Sequence, residues 1–145
     1  MDIFTTLTGN LGTEPDFRLT PGGMPAGSFR LATTPRLFKD GQWQDGDTTW
    51  VTVNCTWALA ENMSRSLKKG DSVIVEGRLR TQNWTDANGL SRDRLIIDAV
   101  AIGHDLTRGT STFTRSPKRE RPEPAPEPAD DREPSDRWED ARLAA

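Results

Sequence analysis

Short runs of alternating apolar and polar residues, separated by turn-forming glycine, proline, asparagine and aspartate, make up the chain up to about residue 102. Alternation with a period of two is typical of strands with one buried face, and frequent turn signals separate the strands of barrels and sandwiches. A polar stretch with two glycines, residues 38–47, is predicted as an exposed hairpin connection. Five strands are predicted, at residues 3–9, 27–34, 48–57, 72–84 and 92–102.

The alternation assigns the side chains of these runs to two faces. The inward positions are predicted to be Phe29, Leu31, Val51, Val53, Cys55, Val73, Val75, Gly77 and Leu79. The outward positions include Arg30, Trp50, Thr52, Arg78, Arg80, Gln82 and Trp84.

One helical pattern interrupts the strands, at residues 58–69, where Leu59, Met63 and Leu67 recur at steps of four. Lys68 and Lys69 precede Gly70, so the two lysines fit either a helix C-terminus closed by glycine or contacts with phosphate. Five strands with a lone helix between the third and fourth predict an all-β fold, the five-stranded OB-fold, a partly open Greek-key barrel.

The composition changes after Thr112, where Pro, Glu, Asp, Ala and Arg replace the apolar alternation. Such a segment buries too little apolar surface to fold, so residues 1–112 are predicted as one domain and residues 113–145 as a disordered, Pro-rich, acidic tail. Trp138 and Leu143 leave two interpretations open, a short amphipathic turn or a solvated tail end, and the composition favours the second.

The charge balance does not by itself indicate a nucleic-acid partner. Residues 1–112 carry 12 Lys and Arg against 13 Asp and Glu, net −1, and the rest carries 7 against 9, net −2, giving the total of −3. Binding to phosphates usually leaves a basic domain, so any such binding here requires a local patch of positive charge.

Catalytic and metal sites find no support in the sequence. Cys55 is the one cysteine and lies on a predicted core face, and His104 is the one histidine. A disulfide within the chain, a multi-cysteine zinc site and a Cys-His nucleophile are therefore excluded, and we expect no enzyme activity and no cofactor. Without a membrane span or signal peptide, we expect a soluble cytoplasmic protein.

Tryptophan usage is the feature that points to a function, because Trp50 and Trp84 are both predicted to point away from the core. Any base can stack on an exposed indole while neighbouring cations contact phosphates, and Arg78 and Arg80 share the face of Trp84. Packing offers an alternative for each residue, with Trp84 covering the hairpin and Trp50 at a subunit interface. Alternation alone favours neither interpretation.

Several motifs resemble those of bacterial single-stranded DNA-binding proteins, in the same order and spacing over about residues 1–108. The sequence pieces that carry the resemblance are Leu7-Thr8-Gly9-Asn10-Leu11-Gly12, Thr20-Pro21-Gly22-Gly23, Phe29-Arg30-Leu31-Ala32-Thr33, Ala60-Glu61-Asn62, Leu67-Lys68-Lys69-Gly70, Val75-Glu76-Gly77-Arg78-Leu79-Arg80 and Trp84-Thr85-Asp86.

The resemblance implies an OB-fold, a homotetramer and single-stranded DNA wrapped around it, in a cytoplasmic, nucleoid-associated protein. It also implies which residues contact DNA. Trp50 and Trp84 match base-stacking tryptophans, Phe38 falls near a third stacking aromatic, and Lys69, Arg80 and Arg92 match basic contact positions. Two further candidates, Arg36 and Lys39, flank Phe38, where they fit a solvated loop at least as well.

Two departures from the family pattern open alternatives. Thr56 stands where the family commonly has another aromatic residue. The neighbouring Trp57 falls on an inward position of the alternation, so we expect it to pack inward. The family's acidic Pro-Phe tip, which docks partner enzymes, is replaced by Asp140–Ala145, as expected of a specialised paralogue. Replication or recombination proteins remain partners that the tail could recruit.

The alternative function is a primosome-type protein-interaction module on the same fold with weak DNA binding.

Overall fold

The computed structural model describes residues 1–118, and Met1–Thr112 form one compact unit. Most of this unit is β-structure, as the alternating pattern predicts. The single helix of the described residues is α1, Trp57–Ser66. The strands are β1 Ile3–Leu11, β2 Asp16–Leu19, β3 Pro25–Thr33, β4 Arg36–Lys39, β5 Gln42–Asp45, β6 Thr49–Thr56, β7 Ser72–Thr85 and β8 Ser91–His104.

The five long strands close into a barrel. Their sheet runs in the order β1-β7-β8-β6-β3-β2, and β1 also pairs with β3 at Asn10↔Ala32 and Leu11↔Leu31. Because β1 pairs with β7 at one edge and β3 at the other, the ring β1-β7-β8-β6-β3 has no free end. All of these pairings are antiparallel except β6–β8, which is parallel. The predicted OB-fold with five barrel strands and a helix between the third and fourth is confirmed.

The predicted inward residues of β3, β6 and β7 fill the barrel. Leu31, Val53, Val73, Val75 and Ile97 are completely buried. Met63 and Ala60 of α1 join the same core, and Met63 lies so close to Gly27 of β3 that a Cβ there would overlap its side chain. The helix therefore packs mainly against β3 and contributes two side chains to the core of the barrel.

Three elements differ in detail from the sequence-based prediction. Residues 16–19, for which no strand was predicted, form β2, a four-residue strand that extends the sheet beside β3. The polar connection at residues 38–47 forms the β4–β5 hairpin, which is a separate two-stranded sheet and begins at Arg36. None of the three short strands was predicted as a strand, because each has only four residues and all of these are exposed.

The helix ends earlier than predicted, and its last turn is not closed by Gly70. It stops at Ser66, and Leu67 is already extended with its backbone N–H donating to the Met63 carbonyl. Lys68 and Lys69 lie in the following turn, in which Gly70 has φ +93°. The helix-capping interpretation of the two lysines is therefore wrong.

Trp57 is also placed differently from the prediction. It begins α1 with φ +56°, in the left-handed region, and 54% of the residue is exposed. The strand β6 ends at Thr56 and the backbone turns there. The alternation of inward and outward side chains therefore no longer determines where Trp57 points. The prediction that it packs inward is wrong.

The predictions for the tail fall mostly outside the described residues. These are the prediction of a disordered, acidic tail beyond residue 118 and the two interpretations of Trp138 and Leu143. Within residues 1–118, the one helix is too short to cross a membrane.

Candidate nucleic-acid interface

Two exposed tryptophans lie on the outer face of the barrel, on the strands that flank β8. Trp50 lies on β6 and is 47% exposed, and Trp84 lies near the end of β7 and is 42% exposed. The sheet order places β8 directly between these strands. Alternation correctly predicted that both indoles point away from the core.

Each of these tryptophans carries an arginine over its ring. The guanidinium carbon of Arg30 is 5.5 Å from the ring centroid of Trp50, and that of Arg94 is 5.3 Å from the ring centroid of Trp84. Both distances are within the range of a cation–π interaction. The sequence-based site contained neither arginine, although the outward parity of Arg30 and the position of Arg94 in the β7–β8 hairpin were signals that pointed to them.

Strand register places these four residues in a band of three neighbouring rows on one face of the sheet. Arg30 is on β3 and Trp50 on the adjacent β6. Arg94 of β8 precedes Leu95, which pairs with Val51, so Arg94 and Trp50 occupy matching outward positions at the start of the β6–β8 ladder. We call this band, with Trp84 on β7, the tryptophan–arginine face, and define it as Arg30, Trp50, Trp84 and Arg94.

Arg30 of this face also begins a row of paired positions that joins four strands. Arg30 pairs with Thr52, Thr52 with Ile96, and Ile96 with Arg80, and paired positions share one face of a sheet. Thr52 and Ile96 are buried although they are outward positions. The Thr52 Oγ1 and Arg30 Nε atoms are also buried, and neither has a hydrogen-bond partner among the described residues.

The ring of Trp50 is held against a glycine. A Cβ built on Gly12 would overlap the distal edge of the indole, at Cζ3 and Cη2. The Gly12 N–H donates to the Arg30 carbonyl at 2.7 Å, which fixes this loop beside the strand that carries Arg30. Gly12 belongs to the first motif that resembles the family, and because it has no Cβ it leaves room for the Trp50 ring.

The predicted arginines on β7 face carboxylates. Arg80 Nε donates to Asp98 Oδ2 at 2.7 Å, and this hydrogen bond raises the pKa of Arg80. Arg78 lies between two carboxylates, with its terminal nitrogens 3.9 Å from Asp2 and 4.0 Å from Asp98. Both arginines are exposed and lie on the expected face, but their charge is partly compensated within the domain.

Two more predicted arginines are also paired. Arg92 Nε is 2.9 Å from Asp86 Oδ2, and this hydrogen bond, followed by one from the backbone N–H of Leu90, lowers the pKa of Asp86. Arg36 Nε is 3.3 Å from Asp45 Oδ1, across the β4–β5 hairpin. Arg92 pairs in register with Trp84, so it lies at the end of the tryptophan–arginine face.

The remaining predicted residues lie on other parts of the domain. Phe38 is exposed on the β4–β5 hairpin, its ring centroid 5.4 Å from that of Trp43, and Lys39 is exposed beside it. Lys69 is exposed in the turn after α1, with its backbone N–H donating to Glu14 at 3.3 Å. Trp43 was not among the predicted site residues, and only its exposure in the hairpin reveals it.

Among the described residues, His, Cys, Asp and Glu form no cluster that could hold a metal ion. Cys55 is buried, and burial raises the pKa of its thiol to about 11.

Comparison with known proteins agrees with this description. The model of the Single-strand binding protein family matches residues 4–105. Single-stranded DNA-binding protein 1 of Streptomyces coelicolor is 46% identical over 125 residues, covering 80% of this chain and 78% of that protein. The single-stranded DNA-binding protein of Corynebacterium glutamicum is 37% identical over 119 residues, covering 81% of this chain, and the match spans only 53% of that relative.

Two solved structures are also similar. The crystal structure of the small single-stranded DNA-binding protein from Streptomyces coelicolor has a TM-score of 0.69 and 45% identity, covering 74% of this chain and 98% of that chain. The second single-stranded DNA-binding protein of Mycobacterium smegmatis has a TM-score of 0.60 and 31% identity, covering 79% of this chain and all of the other.

Proposed function

The chain belongs to the single-strand binding protein family, and from this premise we propose that it binds and protects single-stranded DNA, without sequence preference, in replication, recombination or repair. The function is binding rather than catalysis. The proteins to which the chain is similar are named for binding single-stranded DNA, which favours this function over the primosome-type interaction module.

The observation that carries the proposal is the pair of exposed indoles on strands flanking β8, each with an arginine over its ring. Stacking of a base on an aromatic side chain contributes about 1–3 kcal/mol and tolerates every base, because each base has a flat π-face. Arginines beside the rings provide cations for the phosphates that follow each stacked base. Two such units on one face fit a flexible single strand better than a rigid duplex.

The other predicted residues extend this site in the proposal. Arg78, Arg80 and Arg92 border the tryptophan–arginine face, and Phe38 on the β4–β5 hairpin offers a further stacking surface. Arg36, Lys39 and Lys69 are more distant basic contacts along the path of a longer strand. A local patch of this kind allows DNA binding by a domain whose net charge is close to zero.

We further propose the assembly and partners that the family resemblance implies. The protein is a homotetramer around which the strand wraps, and it works in the cytoplasm, associated with the nucleoid. Residues 113–145 form an acidic, Pro-rich segment that recruits replication or recombination proteins. Sedimentation of the full chain, alone and with a long oligonucleotide, measures both the number of subunits and the stoichiometry of the complex.

A titration of intrinsic tryptophan fluorescence with oligo-dT tests the proposed function. Trp50→Ala and Trp84→Ala are each expected to weaken binding by about 1–3 kcal/mol, while circular dichroism shows a folded domain. Trp50→Phe and Trp84→Phe keep a stacking ring and should retain most of the affinity. Unchanged affinity in both alanine variants would exclude this site, and absence of any binding by the parent chain at low salt would exclude the function.

A further inference from the structure

The distribution of ion pairs separates the arginines of the outer face into two groups. Arg78, Arg80 and Arg92, which border the tryptophan–arginine face, each have a carboxylate oxygen within 4.0 Å, as does the more distant Arg36 on the β4–β5 hairpin. Arg30 and Arg94 have none among residues 1–118. These two arginines instead lie over the rings of Trp50 and Trp84.

Arg30 and Arg94 are placed where they can contact a bound strand. Arg94 is exposed and its Nε donates to Gln82 Oε1 at 2.7 Å, which orients the guanidinium over Trp84 and leaves its other nitrogens available. Arg30 is half-buried, with its guanidinium over Trp50 and its Nε buried without a partner. A strand whose bases contact both tryptophans therefore meets a guanidinium group at each of them.

A paired arginine and an unpaired one differ in what they contribute to binding. When a phosphate meets Arg80, it competes with the carboxylate of Asp98, so part of the attraction replaces an interaction that already exists. When a phosphate meets Arg30 or Arg94, no carboxylate is displaced, and the full contact appears as release of counterions from the DNA. Salt dependence should therefore come mainly from the unpaired arginines.

We infer that Arg30 and Arg94 are the principal phosphate-contacting residues of this protein, each supplying its charge beside a base stacked on the tryptophan below it. This inference rests on the proposed function and deepens it, because it assigns the electrostatic part of the site to two residues outside the predicted set. The arginines Arg78, Arg80 and Arg92 then border the strand and contribute less to the salt dependence.

The test is the slope of log affinity against log salt for oligo-dT binding by the full chain. Each phosphate contact contributes about −0.7 to this slope, so the double variant Arg30→Ala/Arg94→Ala should be flatter than the parent by about 1.4. Arg65→Ala, which removes an exposed arginine from α1, is the matched control for net charge and should keep the parent slope. Arg30→Lys/Arg94→Lys retains both charges and should also keep it.

Folding of the double variant is checked by circular dichroism, and Arg94→Ala alone, at an exposed position, gives a second measurement with an expected flattening of about 0.7. If the parent binds with tryptophan quenching but the alanine variants only lose affinity at constant slope, the two arginines merely brace the tryptophans and the inference is wrong. If the parent does not bind, the proposed function fails and the inference fails with it.

Discussion

Asp98 binds the guanidinium of Arg80 in a bidentate fashion, with Nε donating to Oδ2 at 2.7 Å and a terminal nitrogen donating to Oδ1 at 3.3 Å. The two residues are on adjacent strands of the outer face, and Asp98 is also 4.0 Å from Arg78. One carboxylate thus compensates two of the arginines that border the tryptophan–arginine face. A DNA phosphate that approaches them meets a competing anion within the protein.

The first prediction concerns this competition. Asp98→Asn should tighten oligo-dT binding several-fold at low salt and steepen the salt slope by about 0.7, because Arg80 gains an uncompensated charge. The asparagine oxygen still accepts a hydrogen bond, so Arg80 keeps its position. Glu61→Gln on α1 makes the same charge change away from this face and should have little effect. Weaker binding by Asp98→Asn would mean that the carboxylate is needed to orient Arg80.

The second prediction concerns the glycine that faces Trp50. Gly12→Ala places a Cβ where the indole now lies, so the ring must move. We expect a shift in tryptophan emission and a loss of DNA affinity approaching that of Trp50→Ala, with a folded domain by circular dichroism. Gly22→Ala is the matched control, because a Cβ at Gly22 meets nothing within 4 Å. Equal affinity of the Gly12→Ala variant and the parent would show that the position of this ring does not determine binding.

The third prediction concerns the left-handed backbone at Trp57. A side chain with a Cβ is disfavoured there by about 1–2 kcal/mol, and glycine is not. Trp57→Gly should therefore be about 1 kcal/mol more stable than Trp57→Ala in urea unfolding, although glycine normally destabilises a chain. If the alanine variant is equally or more stable, the backbone at this position is not strained.

The fourth prediction concerns the buried thiol. Burial raises the pKa of Cys55 from 9.0 to about 11, so the folded protein should react slowly with a disulfide reagent at pH 8 and rapidly in denaturant. Between pH 9 and 11 the unfolded chain loses this proton while the folded chain retains it, so this group destabilises the fold as pH rises. The stability advantage of the parent over Cys55→Ala should shrink across that range. An advantage independent of pH would contradict the assignment.

The fifth prediction concerns the acidic segment that follows Arg121. Residues 123–140 carry eight acidic and two basic residues, and a tethered anionic segment competes with DNA for a cationic face. A chain ending at Arg121 keeps the preceding basic cluster and should bind oligo-dT at least as tightly as the full chain at low salt. The difference should shrink as salt increases. Binding several-fold weaker at every salt concentration would show that the segment contributes to the DNA interface.

The fold and the outward orientation of Trp50 and Trp84 could be predicted from the sequence because alternation is local information. Val51 and Val53 are buried and Trp50 is exposed, as a period of two requires. Pairing between distant strands is not local, so the ion pair of Arg80 with Asp98 and the stacking of Arg94 on Trp84 required the register of the β7–β8 hairpin. Trp57 was placed wrongly because its left-handed backbone ends the alternation, and no residue type in the sequence signals that turn.

The closure of the barrel through β1 also determines the order in which the domain can be completed during synthesis. β1 is made first, but eight of its residues pair with β7, from Ile3↔Leu79 to Asn10↔Ser72. The parallel partner of β6 is β8, the last strand of the barrel. Until β8 has left the ribosome, the nascent chain therefore holds exposed strand edges at both ends of an open sheet, and such edges pair readily with other chains. Long-range pairings of this kind also fold slowly. Aggregation of the new chain should thus be greatest while β8 is still inside the ribosome, and it should fall once β8 has emerged.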